Sequence, residues 1–221
     1  MISFCTWILD RLQQFREVLP LNLARTAGIN CEFVILDIGS TDGLGRYLRG
    51  WSDQRIRYVR EPWATADRHF ARLYNASHSM ARGNLLVALD ADNAIGEKYC
   101  TAVHQWCTDH SFLWAWSGDW TSGTVGRVAF QRDVFWGLGG YDESLGPVGY
   151  QDIDLMNRAR ASGLRRRLIQ DPDVVGHAIP NSRAETANCL GLSEQLYRRI
   201  NSENAAHSRD NIAAGRLIAN V

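Results

Sequence analysis

The sequence has no excess of either charge: 24 lysines and arginines stand against 24 aspartates and glutamates in 221 residues. Nucleic-acid binders usually carry a basic surplus to neutralise phosphates, so no nucleic-acid partner is expected. The local clusters Arg55, Arg57, Arg60 and Arg165, Arg166, Arg167 read as solvated faces. Peripheral contact with a membrane surface stays compatible with them. Cysteine is scarce, with five residues (Cys5, Cys31, Cys100, Cys107, Cys189), an odd number without a CxxC pair. That pattern excludes zinc spacing and a disulfide framework, and predicts reduced thiols in a reducing, cytoplasmic setting. No apolar run approaches the roughly 20 residues of a membrane helix. Met1-Ile2-Ser3-Phe4 has no basic region ahead of its apolar stretch and does not read as a signal peptide. Repeats, low-complexity segments and linkers are also lacking.

What remains is globular in composition, 45% hydrophobic and 22% charged, and of a length for one buried core. The first two thirds alternate strand and helix signals. Ile2–Ile8 is apolar and β-prone; Leu9–Ala27 carries Leu12, Phe15, Leu19 and Leu23 at helical spacing, with a kink or restart expected at Pro20. Phe33–Leu36, Arg55–Arg60 and Leu85–Leu89 predict further strands. Asp67–Arg82 predicts a helix with Phe70, Leu73, Ser77 and Met80 on one side, and Glu97–Asp109 predicts another. Strands separated by helix-length segments imply an α/β fold, a mostly parallel sheet with helices on both faces. Ligands of such sheets bind at the carboxyl ends of the strands, where both acidic turns, Asp37–Gly43 and Asp90–Asn93, fall. Downstream come a segment rich in tryptophan (Ser111–Gly126), a strand (Arg127–Phe130), a glycine-rich turn (Gly137–Gly140) and a helix (Tyr150–Ser162). A polar, helix-prone tail begins at Arg183.

Three constellations carry chemistry. In Asp90-Ala91-Asp92, side chains two apart on extended backbone point the same way, so two carboxylates can converge on one hard divalent cation whose shell is completed by phosphates and water. The plainer alternative is an Asx turn capping the next helix. In Gly149–Leu155, Asp152 and Asp154 sit in the first turn of a helix, where the dipole favours the ionised form that accepts a proton, or where they merely cap it. His177 is a candidate metal ligand, although an isolated histidine is more often structural.

These blocks bring a resemblance. Asp37-x-Gly39-Ser40-Thr41-Asp42-Gly43 and Asp90-Ala91-Asp92-Asn93 resemble the nucleotide-side signatures of family 2 GT-A glycosyltransferases. Gly126–Phe135, Gly139-Gly140-Tyr141-Asp142-Glu143 and Gly149–Leu155 resemble the C-terminal half of the β-1,4-galactosyltransferase family. The resemblance implies a single GT-A domain: a nucleotide-binding half (1–95), an acceptor and catalytic half (96–182) and a helical tail (183–221). It implies that Thr6, Asp37 and Asp90 serve the nucleotide, that Asp92 and His177 hold a divalent metal, Mn²⁺ or Mg²⁺, and that Asp152 is the base; Arg72, or Arg68, is expected to serve the nucleotide in place of the family's basic residue. Trp116, Gln151 and Asp154 are assigned to the acceptor, Trp116 as part of an aromatic sugar platform that has core packing as its alternative. The sequence departs from the family at Gln151, where a Glu is usual, at Tyr74, where a basic residue is usual, and at Ser144–Val148, which replaces a tryptophan-rich stretch.

The implied reaction is an inverting transfer of a hexose-type sugar from a UDP-sugar to the hydroxyl of a carbohydrate or other acceptor. A nucleotidyltransferase would share the sheet and carboxylates, but Ser3–Ile8 has neither the glycine nor the lysine of a triphosphate loop. A non-catalytic carbohydrate-binding or scaffold protein would leave the acidic residues incidental.

Overall fold

The computed structural model describes residues 1–61, 68–180 and 191–221. Strands β1 (Ile2–Ile8), β2 (Cys31–Asp37), β3 (Ile56–Arg60), β4 (Leu85–Ala88), β6 (Ser111–Ala115), β7 (Val128–Gln131) and β8 (Arg165–Ile169) form one sheet in the order β3-β2-β1-β4-β7-β6-β8. Only β7 runs against the rest. A short antiparallel pair, β5 (Asn93–Ala94) with β9 (His177–Ala178), stands apart from the sheet.

Alternation along the strands sorts the core into two layers. Phe4, Phe33, Leu85 and Val87 face α1 (Leu12–Arg25), α2 (Leu44–Arg49), α4 (Tyr99–Trp106) and α7 (Pro172–Val175). Cys5, Val34, Leu86 and Ala88 face α3 (Phe70–Ser79), α5 (Arg132–Gly137) and α6 (Gln151–Ala161). A sheet covered on both faces needs continuous apolar strands, and β1, β2 and β4 are buried almost throughout. A last helix, α8 (Glu194–Ala213), packs against α6.

Helix α1 runs as one element with Pro20 inside it, in place of the expected restart. Helix α3 ends at Ser79 and buries Tyr74, Asn75 and His78 beside Leu73 and Ser77. The face expected from apolar spacing alone is thus widened by polar side chains that find partners inside. The expected start of this helix at Asp67, Cys189 and the tail from Arg183 to Leu190 lie outside the described residues. Cys5, Cys31, Cys100 and Cys107 are buried free thiols. Among the described residues no helix is long and apolar enough to cross a membrane.

The basic cluster Arg165–Arg167 belongs to the edge strand β8, and Arg165 and Arg166 are exposed. Arg166 lies over the Trp114 ring at 5.0 Å and Arg167 over the Trp106 ring at 4.5 Å. The arginines therefore shield the open edge and its indoles while keeping their charge near water.

Candidate active site

The order β3-β2-β1-β4 reverses direction at β1, and in such sheets ligands bind in the crevice outside the carboxyl ends of the strands at that point, here β1 and β4. Thr6 closes its floor by donating its hydroxyl to the Leu89 carbonyl at 2.6 Å. Asp90 and Asp92 follow β4 directly, both half-buried. Burial first, and then the neighbouring Asp92 charge, push the Asp90 carboxyl up to about 6. Asp92 is likewise raised by burial, against the hydrogen bond from Asn93 at 2.6 Å. Two such carboxylates are incompletely compensated.

Tyr74 reaches from α3 and donates its hydroxyl to Asp90 Oδ1. Its ring stacks on Tyr141 at 5.0 Å, so two phenols wall the crevice beside Asp90. Burial and the nearby carboxylates raise both phenols, which stay protonated.

Asp152 enters from the first turn of α6. Burial, then the charge of Asp90, push its carboxyl up to about 7. Gln151 Nε2 donates to its Oδ2 at 3.3 Å, while its buried Oδ1 and the Gln151 Oε1 have no partner. A side chain at position 126 would meet Oδ2 at 3.2 Å, so Gly126 leaves this carboxylate room.

Arg127 is the residue that sequence reasoning missed. It is 2% exposed, and burying a guanidinium costs several kcal/mol unless it is paired. Its Nη2 donates to Asn93 Oδ1 and, at 3.3 Å, to the His177 carbonyl. Asn93 in turn donates to Asp92, and the charges of Asp90 and Asp92 act on Arg127 from close by. One buried cation thus links the acidic turn to the strand that carries His177. The only sequence signal was a charged residue opening an otherwise apolar strand.

His177 is exposed, but the β5–β9 pairing and the bond from Ile179 N to the Asp92 carbonyl at 2.8 Å place its strand alongside the acidic turn. Among the described residues, no three His, Cys, Asp or Glu side chains form a group able to hold a metal. The two half-buried, mutually repelling carboxylates, both hard oxygen donors, nevertheless fit a divalent cation whose remaining ligands come from phosphate and water.

The other expected residues differ in their surroundings. Asp37 is fully buried at the end of β2: its Oδ1 accepts from Gly39 N at 3.0 Å and Ser40 N at 2.7 Å, its Oδ2 from Tyr58 at 2.6 Å. Burial would raise this carboxyl, and those hydrogen bonds outweigh it and hold it low. Asp37 therefore shapes the Gly39–Gly43 turn from below. Arg72 lies 3.6 Å from Glu143, in a hollow with Ser79, Trp136 and Ile218. Asp154 is fully buried against Arg158 at 2.7 Å and is not part of the crevice. Trp116 stacks on buried Trp114 at 4.6 Å and meets the tilted ring of Trp120, which is 59% exposed, at 4.8 Å.

Residues 15–114 match the family model described as Glycosyl transferase family 2. The fold is similar to that of S. aureus TarS 1–349 in complex with UDP, with 14% identity over 92% of this chain and 70% of that one and a TM-score of 0.63. The same TarS fragment in complex with UDP-GlcNAc matches at 13% identity and a TM-score of 0.60, over 92% of this chain and 71% of that one. The catalytic domain of Drosophila β1,4-galactosyltransferase 7 in complex with xylobiose matches at 14% identity and a TM-score of 0.56, over 82% of this chain and 71% of that one. The chain has the GT-A fold. No curated protein sequence matches it. The family match covers β2, β4 and the acidic turn, while Asp152, His177 and α8 lie beyond it.

Proposed function

We propose that this protein is a glycosyltransferase that transfers a hexose-type sugar from a UDP-sugar to an acceptor hydroxyl, with inversion and with a divalent metal, Mn²⁺ or Mg²⁺, in a cytoplasmic setting. The observation that carries the proposal is the meeting of Asp90, Asp92 and Asp152 at one crevice, with Asp152 near 7. A carboxyl at that value is half ionised at neutral pH and basic enough to accept a proton, whereas an ordinary carboxylate is a much weaker base. The UDP and UDP-GlcNAc complexes of TarS support the donor class, and β1,4-galactosyltransferase 7 supports an acceptor that is a carbohydrate.

Asp92 and His177 would hold the cation, which when bound neutralises charge on the diphosphate. Asp90, kept in place by Tyr74, would face the ribose, above a floor shaped by Thr6 and Asp37. Asp152 takes the proton of the acceptor hydroxyl as that oxygen bonds to the anomeric carbon. The bond to the diphosphate breaks, and its electron pair leaves with UDP. The exposed face of Trp120, backed by Trp116, suits the C–H face of an acceptor pyranose.

Calorimetry of UDP binding with and without manganese tests the reading. Binding is expected to require the metal. Equal affinity in chelator would remove the metal from the proposal, and no binding in either condition would favour a scaffold. His177→Ala is expected to weaken manganese affinity by about tenfold or more, on the scale seen when even outer-shell metal partners are removed. An unchanged manganese titration would return His177 to a structural role.

A further inference from the structure

Helix α8 is unusual for a helix that covers a core. Such helices bury an apolar stripe, but the residues α8 buries are Asn204 and Ser208, four apart. Asn204, 3% exposed, grips the backbone of the loop that precedes α6. Its Oδ1 accepts from Gly146 N at 2.6 Å, and its Nδ2 lies 3.3, 3.0 and 2.8 Å from the carbonyls of Gly146, Val148 and Gly149. One side chain therefore takes over hydrogen bonding for a turn of backbone that has no secondary structure to satisfy it.

The grip falls where the chain is strained. Gly149 and Tyr150 are both left-handed, with φ of 82° and 68°. For a residue with a side chain that conformation costs about 1–3 kcal/mol, and it persists only where the surroundings over-determine it. A side chain at Gly149 would meet Asn201 Oδ1 at 2.6 Å, so α8 lies against this backbone so closely that glycine alone fits. The Tyr150 carbonyl then accepts from Asp154 N at 2.8 Å and starts α6, with Asp152 in its first turn. The path runs from Asn204 through the strained pair to the carboxylate, in three residues.

We propose that Asn204 is a positioning residue for Asp152, and that α8 is for this reason part of the catalytic apparatus. The proposal rests on the reading of Asp152 as the base. If the loop relaxes, the helix start turns and the carboxylate leaves its place beside the acceptor hydroxyl. A displacement near 1 Å can cost about 10²-fold in rate without any loss of donor contacts.

The test compares Asn204→Ala, Gly146→Ala, Asp152→Asn and the double variant Asp152→Asn/Asn204→Ala. Gly146→Ala is an independent wedge, because its new methyl would meet Ile200 at 2.8 Å and Asn204 Oδ1 at 3.0 Å, and it decides the matter should Asn204→Ala fail to fold. Turnover is expected to fall about 10- to 100-fold in each loop variant, with the donor dissociation constant within about twofold of the parent. The double variant should be no slower than Asp152→Asn alone, since Asn204 acts through a group already removed. Parent-like turnover in the loop variants while Asp152→Asn is slow would overturn the positioning role and leave the base in place. Multiplying losses in the double variant, or donor affinity falling in step with turnover, would overturn it as well. Near-parent turnover in Asp152→Asn would remove the base and this inference with it.

Discussion

Asp152→Asn is expected to lower the transfer rate by about 10² or more while leaving donor affinity near its parent value, because a positioned base contributes on that scale and acts on the acceptor. A purely capping aspartate would tolerate the change, since asparagine caps about as well. The cap position itself is Tyr150, which makes no side-chain capping bond. The pH profile separates the roles further. A carboxyl raised to about 7 is protonated on the acid side and has no pair to offer there. Parent turnover should therefore rise with pH and level off above about 7, and Asp152→Asn should lose that rise. Asp154 gives the contrasting readout: its partner Arg158 also holds the Leu138 and Gly140 carbonyls at 2.7 Å, so Asp154→Asn should lower thermal stability before it lowers chemistry. Turnover of Asp152→Asn close to the parent, with a normal pH rise, would sink the assignment.

The different fates of Asp152 and Asp154 show where sequence reasoning stops. On a strand, residues two apart share a face, but Asp90 and Asp92 stand on a turn past the end of β4, closed by Asn93 N donating to the Asp90 carbonyl at 3.0 Å, and the charge of Asp92 still acts on Asp90. On a helix, residues two apart point to different sides, so only one of the pair at the start of α6 can face the crevice. Arg72 and Tyr74 divide in the same way on α3: the tyrosine turns inward to Asp90 and the arginine turns out to Glu143. The strands β1, β2 and β4 were legible because burial on both faces demands unbroken apolar runs. Strand β8 was not, because an edge strand with arginines outward has the composition of a solvated loop. Arg127 was illegible for a physical reason as well. A buried arginine is stable only where several distant carboxylates and carbonyls converge on it, and that convergence is a property of the fold.

Asp92→Asn is expected to abolish metal-dependent UDP binding and to leave the fold intact. Asparagine keeps the shape, and the Asp92 backbone carbonyl still accepts from Ile179, so the β5–β9 pairing survives. The sign of the stability effect follows from the raised carboxyl. A carboxyl whose folded value lies above its ordinary value of about 3.9 opposes folding once pH exceeds that value, because its ionised form is the penalised one. Replacing it with a neutral amide relieves that penalty and also the repulsion that raises Asp90. At neutral pH the metal-free variant should therefore melt no lower than the metal-free parent. Ligands stabilise a protein by binding its folded state, so manganese with UDP should raise the melting point of the parent. The variant should show no such gain. A variant that gains as much as the parent would put the cation elsewhere, and a variant that melts well below the parent without metal would make Asp92 a structural residue of the turn.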